Sequence, residues 1–549
     1  MNSSKSILNG ESRAYSLEVL EEVELDVLVI GGGVNGVGIA LDAVSRGLIV
    51  GLVEQNDFAS GTSSKSSKLI HGGLRYLEQR DFKLVREALH ERELMVTTQA
   101  PHLVKPVSFL YPLEEKFREK TYVGAGLALY DILRGFKRAL PSYKHISGED
   151  LREIAPSLRP DKINSAYEYF DAQVDDARHT MFIARTAAAF GAYIATRTRV
   201  VSLIRDGKKV VGAKVEDLLS GHTFDVRSKT VILAAGVWSD ELHAQLGITP
   251  GYSVRMSKGV HIIVPKKAIN STTGVIIKTA VSVLFIIPWG DQWLVGTTDT
   301  EYKEENKHAV ASEEDVEYII TQANRVLNPP LERKDVIGVF AGLRPLVSSN
   351  AKSSTTKLSR EHIVDHPLPG FVSIAGGKYT TYRVMAEDAV NMAIRDIRRV
   401  VPDSVTNELP ILGAYGYAAL NNQRDLLSME MEIEREIVDH LMDRYGSLIE
   451  DLFEIIDHNA QMGLRVTPEL NYIWAEISYA ITHEGAMNLD DILSRRTRLA
   501  FEMPDAAKSI VEEVANHVAP LLGWNAKSKK VAIDEYLKVA AHELGEVNK

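Results

Sequence analysis

The chain has 549 residues, more than one ordinary domain holds, so two or three domains are expected. Apolar residues make up 45% and charged residues 25%, as in soluble globular proteins, and 63 Lys and Arg against 74 Asp and Glu exclude a global basic footprint for nucleic acid. Cysteine is absent, which excludes disulfides and thiolate metal sites and suits a reducing, cytosolic compartment; no run of 18 apolar residues points to a spanning helix.

Residues 1–24 are polar and increasingly acidic, with neither the apolar core of a signal peptide nor the Arg-rich bias of a transit peptide, and read as a frayed leader. Leu25 to Ile30 is a short apolar, β-branched run, the pattern of a strand buried on both faces. Gly31, Gly33 and Gly36 then stand in G-x-G-x-x-G register, and helical spacing continues from Val37 to Val44. Gly31 permits a tight turn, Gly33 lets backbone N–H groups approach a pyrophosphate, and Gly36 lets helix and strand close up. A second apolar run, Leu48 to Val53, ends on Glu54, near the offset of an acid that holds a ribose hydroxyl. An acid there, rather than an arginine, favours FAD or NAD over NADP.

Residues 61–76 follow, rich in hydroxyls and glycines: Thr62, Ser63, Ser64, Ser67, Lys68 and Leu69 precede His71, Arg75 and Tyr76. Such a segment cannot form a core and reads as a loop lying along a polar ligand. Asp81 to Thr98 has helical spacing. From Lys116 to Arg138 the local charge turns positive around Leu127, Leu129, Tyr130, Ile132, Leu133 and Phe136, as in either a segment docking on an anionic membrane or a packed helix with a solvated face. Asp175 and Asp176 cap a helix that Gly191 stops, and Val200 to Arg227 reads as a meander with turns at Asp206-Gly207 and Ser220-Gly221. The strand Thr230 to Leu233 ends in Ala234-Ala235-Gly236, whose small side chains let a nucleotide lie close to the backbone.

Between about Tyr252 and Leu346 apolar and polar residues alternate, with a hairpin from Ser282 to Gly296 turning at Trp289-Gly290-Asp291; this sheet would roof a substrate pocket. The strand Phe371 to Ala375 leads into Gly376-Gly377-Lys378 and a helix expected from Val384 to Val400, a second glycine turn that opens a helix. Beyond Pro410 the chain is charged, helically periodic and without evident chemistry, a separate helical domain of open purpose.

Residues 30–47, from Ile30-Gly31-Gly32-Gly33 to Arg46-Gly47, resemble the first characteristic motif of the FAD-dependent glycerol-3-phosphate dehydrogenases. Gly376-Gly377-Lys378 with Thr381-Tyr382-Arg383 and Ala386 resembles the second, and residues 66–77 are similar to the family's intervening loop. The resemblance implies an α/β fold: an FAD-binding βαβ domain of the glutathione-reductase/D-amino-acid-oxidase type with an interleaved β-sheet substrate domain, plus a C-terminal helical domain. On this chain that places the FAD and substrate parts in 25–405, the substrate part mainly at 95–165 and 250–350, and the helical domain at 406–549. It further implies oxidation of sn-glycerol 3-phosphate to dihydroxyacetone phosphate on FAD, with electrons passed to membrane quinone by a cytoplasmic protein held peripherally on the inner face of the cell membrane. A sister branch, the glycerophosphate oxidases, uses O2 and usually carries an insertion for which there is no obvious room. The mitochondrial branch has a transit peptide and EF-hands; neither pattern is present here, so a bacterial enzyme without a metal site is implied.

Such chemistry needs a cradle for a dianionic phosphate, a base for the C2 hydroxyl and a flavin facing C2. Arg75, Arg344 and Arg360, with Tyr76, lie in segments like the family's substrate-contacting ones, and the planar guanidinium fork suits phosphate. His71 and His261 both remain candidates for the base. Lys378 and Thr380 are placed to stabilise negative charge on substrate or flavin. Cofactor contacts are expected from Gly31, Gly33, Gly36, Glu54, Thr62, Ser63, Ser64, Ser67, Lys68, Leu69, Gly236, Gly376, Gly377 and Lys378. A flavoprotein acting on tRNA would need a basic face, and a non-enzymatic nucleotide sensor leaves the arginines and the second glycine turn unexplained. The oligomeric state, a homodimer included, is open.

Overall fold

The computed structural model describes residues 3–78, 80–114, 118–135, 139–279, 283–304, 308–348 and 361–543. Among these, eight strands form one sheet and ten form a second. In the first, Leu25–Ile30 runs parallel to Val50–Val53 on one side and to Thr223–Leu233 on the other, and Phe371–Gly376 follows beyond. All of Leu25–Ile30 is buried. Val27 and Val29 face a core shared with the helices Val34–Ser45, Asp176–Ala189 and Tyr382–Ala393. Leu28 and Ile30 face the opposite core, closed by the strands Thr198–Asp206 and Lys209–Asp217. This is the period-two division that a doubly covered strand requires. The last strand of the meander and the nucleotide strand, which read as two segments, are one eleven-residue strand, Thr223–Leu233. It pairs antiparallel with Lys209–Asp217 at its start and parallel with Leu25–Ile30 at its end.

In the second sheet Ser253–Pro265 pairs with Gly338–Ser348 and Gln292–Gly296, while Lys105–Leu113 and Ser165–Gln173 extend it. The hairpin Val283–Trp289 to Gln292–Gly296 turns at Gly290 as expected, while Ser282 lies outside the described residues. In register Ser257 faces Arg344, Gly259 faces Gly342 and His261 faces Phe340, so alternation puts all six on one face of the sheet.

Three expectations are revised. The leader does not fray: Gly10–Glu22 is a helix capped by Asn9, Arg13 pairs with Asp217, and Leu20 is buried beneath the first sheet. The helix after the second glycine turn starts at Tyr382 and ends at Ala393 instead of Val400, and beyond it Arg399 reaches Asp26 and the Gly47 carbonyl. The C-terminal helices are not wholly separate. Arg435–Tyr445 and Ile449–His458 share the core of the nucleotide-binding sheet, and a core of their own appears only between Val466 and Ala540.

Candidate active site

One cavity of about 600 Å³ runs from the first glycine turn to the second. At its nucleotide end the fit is made by backbone. A Cβ on Gly31 (φ +115°) would stand 2.6 Å from the Ala234 carbonyl oxygen, and one on Gly36 1.9 Å from that of Gly31. Gly36 therefore acts behind the cavity by letting the helix approach, whereas Gly31 and Gly33 line it. Gly33 caps the helix, and the first free amide, Val34 N–H, donates to Ser63 Oγ at 3.0 Å, showing that this N-terminus seeks an oxygen. Glu54 accepts Gly32 N–H at 2.6 Å and Asn56 N–H at 2.7 Å, one on each carboxylate oxygen. Burial pushes its proton affinity up and the two amides oppose that. Each oxygen keeps lone-pair capacity for a ribose hydroxyl. Gly236 (φ +56°) lines the same end beyond Ala234 and Ala235.

The hydroxyl-rich loop divides. Thr62, Ser63, Ser67 and Leu69 line the cavity, with the Thr62 hydroxyl donating to the Leu343 carbonyl at 2.6 Å. Ser64 and Lys68 do not line it. Lys68 sits at φ +60°, and its Nζ is buried 2.5 Å from both Asp176 Oδ1 and the Ser64 carbonyl. Burial and the charge of Arg498 lower its pKa to about 8 against the pull of Asp176. Ser66 donates its N–H and hydroxyl to the other oxygen of Asp176.

At the second corner Gly376 and Gly377 both have φ +82°, and a Cβ on Gly377 would stand 2.4 Å from the Met385 sulfur. Lys378 Nζ stands 3.6 Å above the ring centroid of Tyr76, and His71, Tyr76, Lys378 and Thr380 all face the cavity. Thr380 Oγ1 accepts the His71 backbone N–H at 3.2 Å, which joins the second turn to the loop. Next to it, Gly72 N–H donates to the Tyr130 hydroxyl, which donates to Asp171, and Asp171 pairs with Arg92 at 2.6 Å. This buried chain holds the His71 backbone from the opposite side.

The second sheet supplies the remaining wall. His261 is buried, its ring stacked on Phe340 at 4.8 Å and 9°, with Nε2 2.9 Å from Ser67 Oγ. Burial holds its pKa well below the ordinary value, and the charges of Arg344 and Lys68 press it lower, so the imidazole is neutral. Arg344 donates to the Thr298 carbonyl at 3.2 Å and to Thr297 Oγ1 at 2.9 Å, with Asp299 3.8 Å away. It occupies space that Gly259 leaves, where a Cβ would fall 2.4 Å from Nη2. Arg75 belongs to the helix Leu74–Glu78, but its side chain lies outside the described residues, as does all of Arg360. Reading the sequence missed Thr297, Thr298 and Asp299 around Arg344 and the Tyr130–Asp171–Arg92 chain. Gly296-Thr297-Thr298-Asp299 carried a usable signal, a small and hydroxyl-rich turn after a hairpin.

These residues fit FAD: glycine corners stand at both ends of a long cavity, a helix N-terminus meets it, and an oriented carboxylate waits at the ribose position. A family model described as FAD dependent oxidoreductase matches residues 26–383, and one described as C-terminal domain of alpha-glycerophosphate oxidase matches 404–529. The chain is 46% identical to a glycerol-3-phosphate dehydrogenase of Mycobacterium leprae over 95% of its length and 89% of that protein. It is 36% identical to the human mitochondrial glycerol-3-phosphate dehydrogenase over 97% of its length and 76% of that protein. Its fold matches the Bacillus halodurans glycerol-3-phosphate dehydrogenase complexed with FAD at a TM-score of 0.79, with 28% identity over 97% of this chain and 98% of that one.

Proposed function

The chain belongs to the FAD-dependent glycerol-3-phosphate dehydrogenase family, and from that premise we propose that it oxidises sn-glycerol 3-phosphate to dihydroxyacetone phosphate and delivers the electrons to a membrane quinone. One observation carries the reading: Arg344, Lys378, His71 and His261 converge on the cavity that both glycine corners line. Two cations on the wall of a cavity that both glycine corners line suit a small phosphorylated alcohol held against a flavin.

Arg344 takes the phosphate, its guanidinium pre-oriented by Thr297 and Thr298, and Lys378 adds the second positive charge. Arg75 and Arg360 join this cradle on the strength of the family motif. His71 accepts the proton of the C2 hydroxyl. It faces the cavity and is only half-buried, whereas His261 is fully buried, has Nε2 engaged by Ser67, and is driven away from the basicity that neutral-pH proton transfer favours. FAD, held by the two glycine corners and Glu54, would supply the acceptor for the C2 hydride and the relay of the electron pair to quinone. His261 then orients, with Ser67, the wall that the alcohol meets.

The helix Arg118–Leu133 is the surface we assign to an anionic membrane. Tyr122 and Ile132 are 61% and 70% exposed, and Arg118 and Lys120 are exposed in the first turn of the same helix. Arg134 is instead buried against Asp131 and the Pro141 carbonyl, and Lys116, Phe136, Lys137 and Arg138 lie outside the described residues. Among the described residues no helix is long and apolar enough to cross a membrane. The acceptor is tested by reducing the holoenzyme anaerobically with glycerol 3-phosphate and mixing it with quinone in anionic vesicles or with O2. Faster reoxidation by quinone is expected; faster reoxidation by O2 would make the chain an oxidase.

A further inference from the structure

The C-terminal region reaches the cavity walls through Glu543, which pairs with Lys65 and His308, and from behind through the turn at residues 494–501. The turn's sequence, Ser494-Arg495-Arg496-Thr497-Arg498-Leu499-Ala500-Phe501, carries three arginines that are all buried. Arg495 and Arg496 pair with Asp57, just before the hydroxyl-rich loop, at 2.7 Å each. Arg498 pairs with Asp175 at 2.7 Å and with Asp176 at 2.6 Å. Asp176 is the carboxylate that holds Lys68 Nζ, Ser66 N–H and Ser66 Oγ. One residue further, Ser67 holds Nε2 of His261. An ionic route thus runs from Arg498 through Asp176 to the loop and on to the histidine.

A second, apolar route ends on the same ring. Phe501 meets Phe340 edge to face at 5.6 Å and 84°, and Phe340 stacks on His261. The Arg498 guanidinium lies 5.3 Å from the Phe501 ring centroid, and Lys68 Nζ lies 5.4 Å from that of Phe340, so the two routes brace each other. The neighbouring Glu502 accepts hydrogen bonds from Trp289 Nε1 at 3.2 Å and, on its carbonyl, from Gln292 at 2.5 Å, which fixes the turn to the hairpin of the second sheet. Among the described residues this turn meets the nucleotide loop, the start of the helix Asp176–Ala189 and the substrate sheet together.

We infer that the Arg495–Phe501 turn is a positioning element of the active site, which sets the His261 ring and the loop at residues 61–68 against the cavity from outside it. None of its side chains touches the reacting atoms. The inference rests on the reading of the cavity given above, and its tests include readouts that need no substrate.

Phe501→Leu keeps the site apolar but removes the ring edge that abuts Phe340. The flavin absorption of the substrate-free holoenzyme is expected to shift. Anaerobic flavin reduction by glycerol 3-phosphate should slow roughly tenfold to a hundredfold, as for a small misplacement of a reacting wall, while substrate affinity and FAD content stay near those of the parent. Phe501→Tyr, which keeps the ring, should restore the rate. A folded Phe501→Leu enzyme with parental flavin spectrum and reduction rate would overturn the inference. Should that variant not fold, hydrogen exchange on the unaltered holoenzyme decides. Amides of residues 61–68 and 494–501 are expected to open as one cooperative unit, and independent opening would overturn the inference. If glycerol 3-phosphate fails to reduce even the parent, the functional reading falls while the spectral and exchange results still judge the turn.

Discussion

The two ends of the cavity are built from different material. At the nucleotide end the contacts are backbone: Gly31 and Gly36 leave no room for a single added carbon, a Cβ on Gly33 would stand 3.3 Å from Ser63 Oγ, and the Glu54 carboxylate is held by amides. At the substrate end the contacts are side chains, and Gly259 makes space for one of them, Arg344. One end fails when an atom is added, the other when a charge or a ring is removed. A cofactor that stays bound through many turnovers is served by a rigid backbone mould, and a small anion that must enter and leave is served by a few charged groups.

Substitutions can break that contrast. Gly36→Val, with its Cβ driven into the Gly31 carbonyl, should displace the helix and abolish FAD binding, so the purified protein should be colourless near 450 nm; a yellow variant would mean the mould is not tight. Arg344→Ala should leave the flavin bound and raise KM by about two to three orders of magnitude, the cost of losing a charge-assisted phosphate partner. Steady-state kinetics beside flavin content separates the two failures.

Acidification should act oppositely at the two ends. His261 is held neutral by burial, so its folded proton affinity lies below the unfolded one. Its contribution to stability is present above the ordinary histidine value of 6.5 and is lost as pH falls below it, by about 1.4 kcal/mol per pH unit. Glu54 is raised, so its contribution grows as pH falls. Unfolding midpoints taken from pH 7.5 to 5.5 should therefore decline less steeply in His261→Gln than in the parent. The smallest effect is expected for Ser67→Ala: it removes one neutral hydrogen bond to His261, worth about 1 kcal/mol, and should lower kcat several-fold with KM nearly unchanged.

The contrast also explains what the sequence disclosed. The nucleotide end is local: strand, glycine turn, helix, strand and acid follow one another from Leu25 to Glu54, and each residue's role is set by near neighbours. The Asp175 cap and the Gly290 hairpin were legible for the same reason. Arg344 and His261 were visible as residue types beside glycines, but their meeting depends on strand register across some eighty residues. Lys68 misled: it stands among loop hydroxyls, yet its positive φ turns the ammonium to Asp176, far along the chain. The arginines at 495–498 went unremarked in a charged C-terminal stretch because the carboxylates they meet across the fold, Asp57, Asp175 and Asp176, lie more than three hundred residues earlier.

The account stands on a single flavin facing a phosphorylated alcohol in one shared cavity. The direct measurement is anaerobic mixing of the holoenzyme with excess glycerol 3-phosphate, reading flavin bleaching and dihydroxyacetone phosphate together. One equivalent of ketone for each flavin bleached is the predicted result. Ketone without bleaching, or a flavin that glycerol 3-phosphate leaves oxidised and NADH reduces, would contradict it.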